Sequence, residues 1–170
     1  MKTAPRNTVS RRDLSIIEGV FRPIYGRPCW GVNYERYLNL SLHFGPPHLI
    51  IREPHSTASQ SSAVRRNAAR RLVTVGGRWW LWIFTSYWRL SYNGVVISNQ
   101  RRYDSGKVRN MLCDLEGQKL IRVRVNPKNS STRFEFDLGA KLDVWKLDDD
   151  TVYDLLDPLR QFAAARVHIK

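Results

Sequence analysis

The sequence has few of the features that define several large classes of protein. It contains two cysteines, Cys29 and Cys113, in 170 residues, and they form no C-x-x-C pair. Small secreted domains are rich in disulfides, so two distant cysteines favour free thiols in a reducing compartment. No apolar run approaches the roughly 18 residues of a membrane-spanning helix, and no apolar segment follows the basic start as in a secretory signal. We therefore expect a cytoplasmic protein with no membrane partner.

Motifs of common catalytic and cofactor sites are also missing. The sequence has no P-loop, no G-x-S-x-G, no H-E-x-x-H and no dinucleotide-binding fingerprint. His43, His48 and His55 follow Cys29 along the chain, but no pair has the spacing of a zinc site. We therefore predict no catalytic residue, no metal and no cofactor. The one enzymatic hypothesis left is a Cys29 nucleophile with a histidine base, which requires a lowered thiol pKa.

Acidic residues are scarce and unevenly placed. Lys and Arg number 28 against 15 Asp and Glu, which gives a formal net charge of +13. Residues 57–78 and 117–133 each carry five basic side chains and no acid, whereas residues 134–157 carry eight acids and two lysines. Concentrated positive charge attracts polyanions or acidic protein surfaces. We therefore predict a one-sided basic docking surface.

The basic residues of the two acid-free segments are the candidate anion contacts. The first group lies in a Ser/Ala-rich surface loop at 56–71, which suits phosphate contacts that need charge and reach rather than fixed geometry. The second group lies on and around a predicted strand at 119–125. The candidates are Arg65, Arg66, Arg70, Arg71, Lys119, Arg122, Arg124, Lys128 and Arg133. The alternative interpretation is a solvated sheet face, with the aliphatic stems of these side chains lying on it.

An unusually aromatic segment follows the first basic group. Single-stranded nucleic-acid binders stack bases on aromatic rings beside basic contacts. The candidate stacking residues are Trp79, Trp88 and Tyr92. However, the strand predicted at 78–84 is apolar on both faces, and this favours burial of its rings in the core.

Short alternating segments separated by turn residues indicate antiparallel strands. We expect a hairpin over 38–52 that turns at Gly45-Pro46-Pro47, and further hairpin turns at Gly76-Gly77, Asn93-Gly94 and Gly139. A helix is predicted over 104–116 with Asp104 as its N-cap, and a shorter helix over 13–20. Residues 151–156 and 162–169 fit either a helix or a strand.

Together these patterns predict a mainly β (α+β) fold. We expect an antiparallel sheet sandwich or a partly open barrel of about eight to ten short strands, with one packed helix at 104–116. Residues 1–12 would form a flexible basic arm. Residues 13–170 would form a single domain with a basic surface loop at 56–71.

Several short segments resemble a loosely defined set of small bacterial proteins of unknown function. These segments are Pro28-Cys29-Trp30-Gly31, Leu40–Arg52, Leu81-Trp82-Ile83, Trp88-Arg89, Leu115-Glu116-Gly117-Gln118 and Phe134–Leu138. The resemblance implies a bacterial or phage-borne cytoplasmic protein. It assigns no activity to any residue.

Two functional hypotheses from different classes follow from the sequence. The first is a non-enzymatic binding module that docks an acidic partner through its basic surface, with DNA or RNA as the first candidate. The alternative is a bacterial protein-interaction factor, such as an immunity or antitoxin-type inhibitor or a subunit of a larger assembly.

Overall fold

The chain forms nine strands and three helices in the part that the structure describes. A computed structural model describes residues 9–35, 39–84, 86–98, 105–146 and 165–169. The helices are α1 (Arg11–Phe21), α2 (Ser62–Ala68) and α3 (Ser105–Cys113), and a 3-10 turn covers Arg22–Ile24. The strands are β1 (Cys29–Glu35), β2 (Asn39–Arg52), β3 (Leu72–Ile83), β4 (Ser86–Tyr92), β5 (Val95–Ser98), β6 (Leu120–Val125), β7 (Thr132–Phe136), β8 (Lys141–Lys146) and β9 (Ala165–Ile169).

The strands make two antiparallel sheets. The four-stranded sheet has the order β1-β2-β3-β9, and the five-stranded sheet has the order β5-β4-β8-β7-β6. This architecture confirms the predicted mainly β fold with a few helices. None of the helices within the described ranges is both long and apolar enough to cross a membrane.

The hydrophobic core lies between the inner faces of the two sheets. Trp79, Leu81 and Ile83 of β3 are 6% exposed or less, while the alternate residues Trp80 and Trp82 are half-buried on the outer face. The five-stranded sheet contributes Trp88, Leu90, Ile97, Leu120, Phe134, Phe136 and Leu142 to the same cluster. The alternate residues of the strands face outward, and on β3 these include aromatic as well as polar side chains.

The helix predicted over 104–116 is confirmed as α3, Ser105–Cys113. Val108, Met111 and Leu112 are buried, as their spacing predicts. The predicted N-cap, Asp104, lies outside the described residues. Gly117 follows the helix with φ of +85°, a conformation that glycine adopts without strain.

The shorter helix predicted over 13–20 is confirmed as α1, and it packs into the core as α3 does. Ser10 and Asp13 form a capping box that starts α1. The buried Phe21 then meets Phe134 of β7 edge to face, with 5.6 Å between ring centroids. Only a few apolar residues of α1 make this packing, so the apolar periodicity that predicts it covers a short stretch of sequence.

The hairpin predicted over 38–52 is wrong, because β2 continues straight through Gly45-Pro46-Pro47. The register with β3 shifts between Phe44 and Pro47, so two residues of β2 lie opposite Arg78 alone. This is a β-bulge, which tolerates the missing proline N–H groups. Gly45 at the bulge has φ of +77°, which favours glycine.

The turn predicted at Gly76-Gly77 does not form either, and β3 runs unbroken from Leu72 to Ile83. Gly77 lies beside the bulge, where an added Cβ would come within 2.6 Å of the Phe44 carbonyl oxygen. Thus the second glycine allows two backbones to approach closely, rather than allowing the chain to reverse. Beyond the bulge, residues 47–52 and 72–77 pair with each other and form what we call the distal ribbon.

Other local predictions have mixed outcomes. The Asn93-Gly94 turn is confirmed, with φ of 48° and 74°, and the hairpin around Gly139 joins β7 to β8. The C-terminal segment 162–169 contains a strand, β9, whereas 151–156 lies outside the described residues. The predicted basic arm, residues 1–12, is described only from residue 9, and Arg11 and Arg12 already belong to α1.

We predict that Gly77→Ala destabilises the protein by about 1–3 kcal/mol, because the new methyl group collides with backbone atoms that cannot rotate away. Gly19→Ala in α1 is the matched control. Its added Cβ meets nothing within 4 Å, so it should be neutral or should stabilise the helix by up to about 1 kcal/mol. Urea unfolding of both variants measures the difference, and equal free energies of unfolding would contradict the close approach.

Candidate nucleic-acid interface

The outer face of the five-stranded sheet carries two cross-strand rows of charged residues. Across β4, β8, β7 and β6, the first row consists of Arg89, Asp143, Arg133 and Arg124. The second row consists of Ser91, Lys141, Glu135 and Arg122. The face therefore brings five cations together with two carboxylates. We call this set of seven charged residues the arginine lattice.

Asp143 lies at the centre of the first row and binds two arginines. Its carboxylate accepts a hydrogen bond of 2.6 Å from Nε of Arg133 and one of 2.8 Å from Nη2 of Arg89. Partial burial alone would raise the pKa of Asp143, but these two bonds outweigh burial and lower that pKa below its ordinary value. The hydrogen bond to Asp143 likewise raises the pKa of Arg133.

Glu135, in the second row, also binds two arginines, one from each row. It lies 3.2 Å from Nε of Arg124 and 3.9 Å from Nη1 of Arg122. A bulge between Leu120 and Arg122 sets this face of β6, because it turns Ile121 outward and returns Val123 towards the core. The strand with one basic face that the sequence predicts is therefore confirmed.

The arginines of the lattice remain open to solvent although they are ion-paired. The side chains of Arg89, Arg122, Arg124 and Arg133 are 48%, 59%, 58% and 45% exposed. A guanidinium has five N–H donors, and Arg133 uses two of them on Asp143. The carboxylates thus hold the guanidinium groups in place and leave donors for a further anion.

Two lysines extend the basic region along the edge of the sheet. Lys119 precedes β6 and Lys128 lies in the turn after it, and both are exposed. Their backbone N–H groups donate to Asp137 and Asn126, respectively. Within the described residues their ammonium groups have no hydrogen-bond or ion-pair partner, so both can contact an anion.

The segment 56–71, predicted as a surface loop, contains α2. Its arginines lie apart from the arginine lattice, on and around α2 at the end of the four-stranded sheet. Arg65 donates to the carbonyl oxygens of Ser59 and Gln60, and Arg71 pairs with Glu53 at 2.8 Å. Arg66 and Arg70 line a shallow hollow on α2 and have no partner in the described ranges. The first predicted basic group therefore lies beside the four-stranded sheet, whereas the second lies on and beside the five-stranded sheet.

Sequence reasoning missed two of the five cations of the lattice, Arg89 and Lys141. They lie on β4 and β8, which pair with each other although more than 40 residues separate them along the chain. Neither residue falls in an acid-free segment. Only the strand order brings them beside Arg133 and Glu135.

Two of the three predicted stacking residues are buried in the core, which corrects that prediction. Trp79 is 6% exposed and Trp88 is 1% exposed, so neither ring can receive a base. Tyr92 is half-buried and packs against the core. The strand periodicity had indicated that large aromatic rings would mostly be buried, and for these residues that alternative is the correct one.

Tyr87 and Trp145 are half-buried beside Arg89 on the outer face of the five-stranded sheet, with 6.2 Å between their ring centroids. A larger set of half-buried aromatic rings lies on the outer face of the four-stranded sheet. Trp30, His43, Trp80 and Trp82 stack in a row, with successive centroid separations of 5.0, 5.5 and 5.6 Å. The interplanar angles of these pairs are 29°, 20° and 16°. Because the inner rings cover each other's faces, the row presents ring edges rather than free faces for base stacking.

Cys29 does not have the properties of a nucleophile. Its side chain is fully buried, and its Sγ donates to the carbonyl oxygen of Leu115 at 3.0 Å. Burial raises the pKa of the thiol to about 12, so the thiolate is negligible at neutral pH. The Cys29 hypothesis is therefore wrong. Within the described ranges, no three metal-ligating side chains come together.

Comparisons with protein families, curated proteins and solved structures find no match to this chain. The resemblance to small bacterial proteins therefore stays a prediction. The basic face has to be interpreted from its own geometry.

We predict that the folded protein loses stability as the pH falls from about 6.5, because protonation of His43 is disfavoured in the fold. Burial, with a smaller contribution from His48, lowers the pKa of His43, and its Nδ1 accepts the Gly77 N–H at 3.1 Å. A lowered pKa in the folded state leaves stability unchanged above the unfolded-state value near 6.5 and reduces it below. Urea unfolding between pH 8 and 5 tests this. His43→Gln should flatten the profile, and an unchanged slope in that variant would contradict the assignment.

We predict one reactive thiol in the native protein and two in the unfolded protein. Cys113 is exposed, whereas Cys29 is buried with a raised pKa. Thiol labelling at neutral pH with and without denaturant counts both groups, and Cys113→Ser isolates Cys29. Rapid labelling of native Cys113→Ser would show that Cys29 is accessible and would contradict its burial.

Proposed function

We propose that the protein is a non-enzymatic binding module that docks nucleic acid through the arginine lattice. The observation that carries this proposal is the placement of five cations and two carboxylates on one exposed sheet face. Phosphate contacts supply most of the affinity of sequence-independent nucleic-acid binding. A cytoplasmic location remains a prediction that accompanies this function.

The geometry of the lattice suits a phosphate backbone. Adjacent strands lie about 4.8 Å apart, so Arg89 and Arg124, three strands apart, are separated by about 14 Å across the sheet. Arginine binds phosphate through planar paired donors. Since Asp143 and Glu135 already orient the guanidinium groups, less side-chain freedom is lost on binding. Because phosphate contacts carry no sequence information, we expect little preference for sequence.

We predict that the affinity for single-stranded and duplex DNA and RNA falls steeply with salt, and that Arg122→Gln with Arg124→Gln reduces this slope. The slope of log K against log salt changes by about 0.7–0.9 for each phosphate that the protein no longer neutralises. Fluorescence anisotropy over a salt series measures it. The matched control is Arg66→Gln with Arg70→Gln, which removes the same charge from α2 and the residues that follow it.

The two double variants have equal net charge, so long-range attraction changes equally in both. A larger loss of affinity in the lattice variant therefore reports binding at the lattice itself. Salt-independent binding of the unmodified protein, or equal losses in both variants, would contradict a phosphate site on this face.

The second candidate function is a protein-interaction factor, such as an immunity or antitoxin-type inhibitor or a subunit of a larger assembly. It is favoured by a group of exposed aliphatic side chains on the distal ribbon, Leu49, Ile51, Val73 and Val75. Purification from the native host after nuclease treatment separates the two functions. A stoichiometric protein that remains bound favours the interaction factor, and loss of all bound material favours nucleic acid.

A further inference from the structure

The distal ribbon extends beyond the strands that flank it in the four-stranded sheet. β1 pairs with β2 only as far as Phe44, and β9 pairs with β3 only as far as Trp79. Within the described residues, 47–52 and 72–77 therefore pair only with each other. A two-stranded ribbon is marginally stable on its own, and its unpaired edges can accept a further strand.

One face of the ribbon is aliphatic and exposed. Leu49 pairs with Val75, and Ile51 pairs with Val73, so the four side chains form a compact patch. Leu49, Val75, Ile51 and Val73 are 63%, 56%, 54% and 51% exposed, respectively. Along β3, Val73 and Val75 lie on the same face as the buried residues Trp79 and Leu81. The patch is thus a continuation of the core-facing side of the four-stranded sheet, beyond the point where the hydrophobic core covers that side.

The surroundings of the patch are strongly basic. Six arginines and one glutamate in residues 47–78 give a formal charge of +5, and the glutamate, Glu53, is paired with Arg71. A surface hollow is lined by residues 46–51 of β2 and by Arg78 of β3. An extended segment lying in this hollow would contact both β2 and Arg78.

The chemistry of the ribbon selects among the occupants that it could take. A second copy is disfavoured, because two ribbons of +5 repel and four half-exposed side chains supply far less than the roughly 800 Å² per partner of a stable interface. A phosphate backbone would match the arginines but has no apolar surface for the aliphatic patch. A protein segment with both aliphatic and acidic side chains matches both features.

We propose that the distal ribbon binds an extended acidic segment of a partner protein, which adds as a strand along β2. Aliphatic side chains on one face of that segment pack on Leu49, Ile51, Val73 and Val75, and carboxylates lie near the arginines. Backbone hydrogen bonds to the β2 edge supply affinity, and the alternating side chains supply specificity. This surface is separate from the arginine lattice and does not depend on nucleic-acid binding.

The probe is a fluorescent peptide of about ten residues in which glutamates alternate with leucines and valines. Versions with Gln or Lys in place of Glu keep the aliphatic pattern and change only the charge. We expect the Glu peptide to bind, the Gln peptide to bind at least about tenfold more weakly, and the Lys peptide not to bind. Equal binding of all three, or no binding of the Glu peptide, overturns the proposal.

Variants then locate the binding surface. Leu49→Thr with Val75→Thr places β-branched side chains, which favour strands, at exposed positions. The fold should therefore persist, and the affinity for the Glu peptide should fall at least about tenfold. Ile121→Thr with Leu138→Thr is the matched control, because these aliphatic side chains are similarly exposed, at 52% and 64%, on β6 and in the turn between β7 and β8. Thermal unfolding and circular dichroism confirm that both variants fold.

Equal losses of peptide affinity in the two variants overturn the proposal, since they would show unspecific adhesion. DNA titrations of the same proteins separate this surface from the proposed function. The ribbon variant should leave DNA affinity unchanged. If Arg122→Gln with Arg124→Gln does not weaken DNA binding, the proposed function is contradicted and the ribbon proposal is unaffected. If the ribbon variant weakens DNA binding and leaves peptide binding intact, the ribbon belongs to the nucleic-acid surface and the proposal is overturned.

Discussion

The close approach of β2 and β3 at the bulge is the constraint on which the four-stranded sheet depends. Two residues of β2 face Arg78 alone, and Gly77 allows the backbone of Phe44 to come within reach. The Gly77 N–H donates to His43 at the same point, which holds that ring in the aromatic row. Because the bulge bends the ladder without ending it, the strands continue into the distal ribbon. The apolar inner face therefore continues beyond the core.

The charge of the protein has a different structural basis on each sheet. On the five-stranded sheet, Asp143 and Glu135 each hold two arginines, so the positive charge is ordered by neighbouring carboxylates. Exposed ion pairs of this kind add little to stability. Instead, these ion pairs hold the guanidinium groups of the arginines in fixed orientations. Near the ribbon, Arg66 and Arg70 have no carboxylate partners among the described residues. Their side chains are not held in one orientation, so they attract an acidic partner by charge alone.

The sequence predicted the elements with strong local signals and missed those that depend on a partner strand. The alternation of Arg122 and Arg124 marked a basic strand face, and the Asn93-Gly94 pair marked a turn that needs positive φ. Gly76-Gly77 carries the same local signal as a turn, although its role is close contact with β2. Local patterns cannot separate these two uses of glycine, because the contact involves residues about 30 positions away.

The fold class, the excess of positive charge and the basic face of β6 could all be read from the chain alone, because each follows from composition or from period-two alternation. Which aromatic rings are buried emerged only in three dimensions, since Trp79 and Trp80 differ by one residue and lie on opposite faces. The same holds for the place of Arg89 and Lys141 in the lattice and for the exposure of Leu49 and Val75. These outcomes depend on strand order and on where the neighbouring strands end, and neither property is encoded in a local stretch of chain.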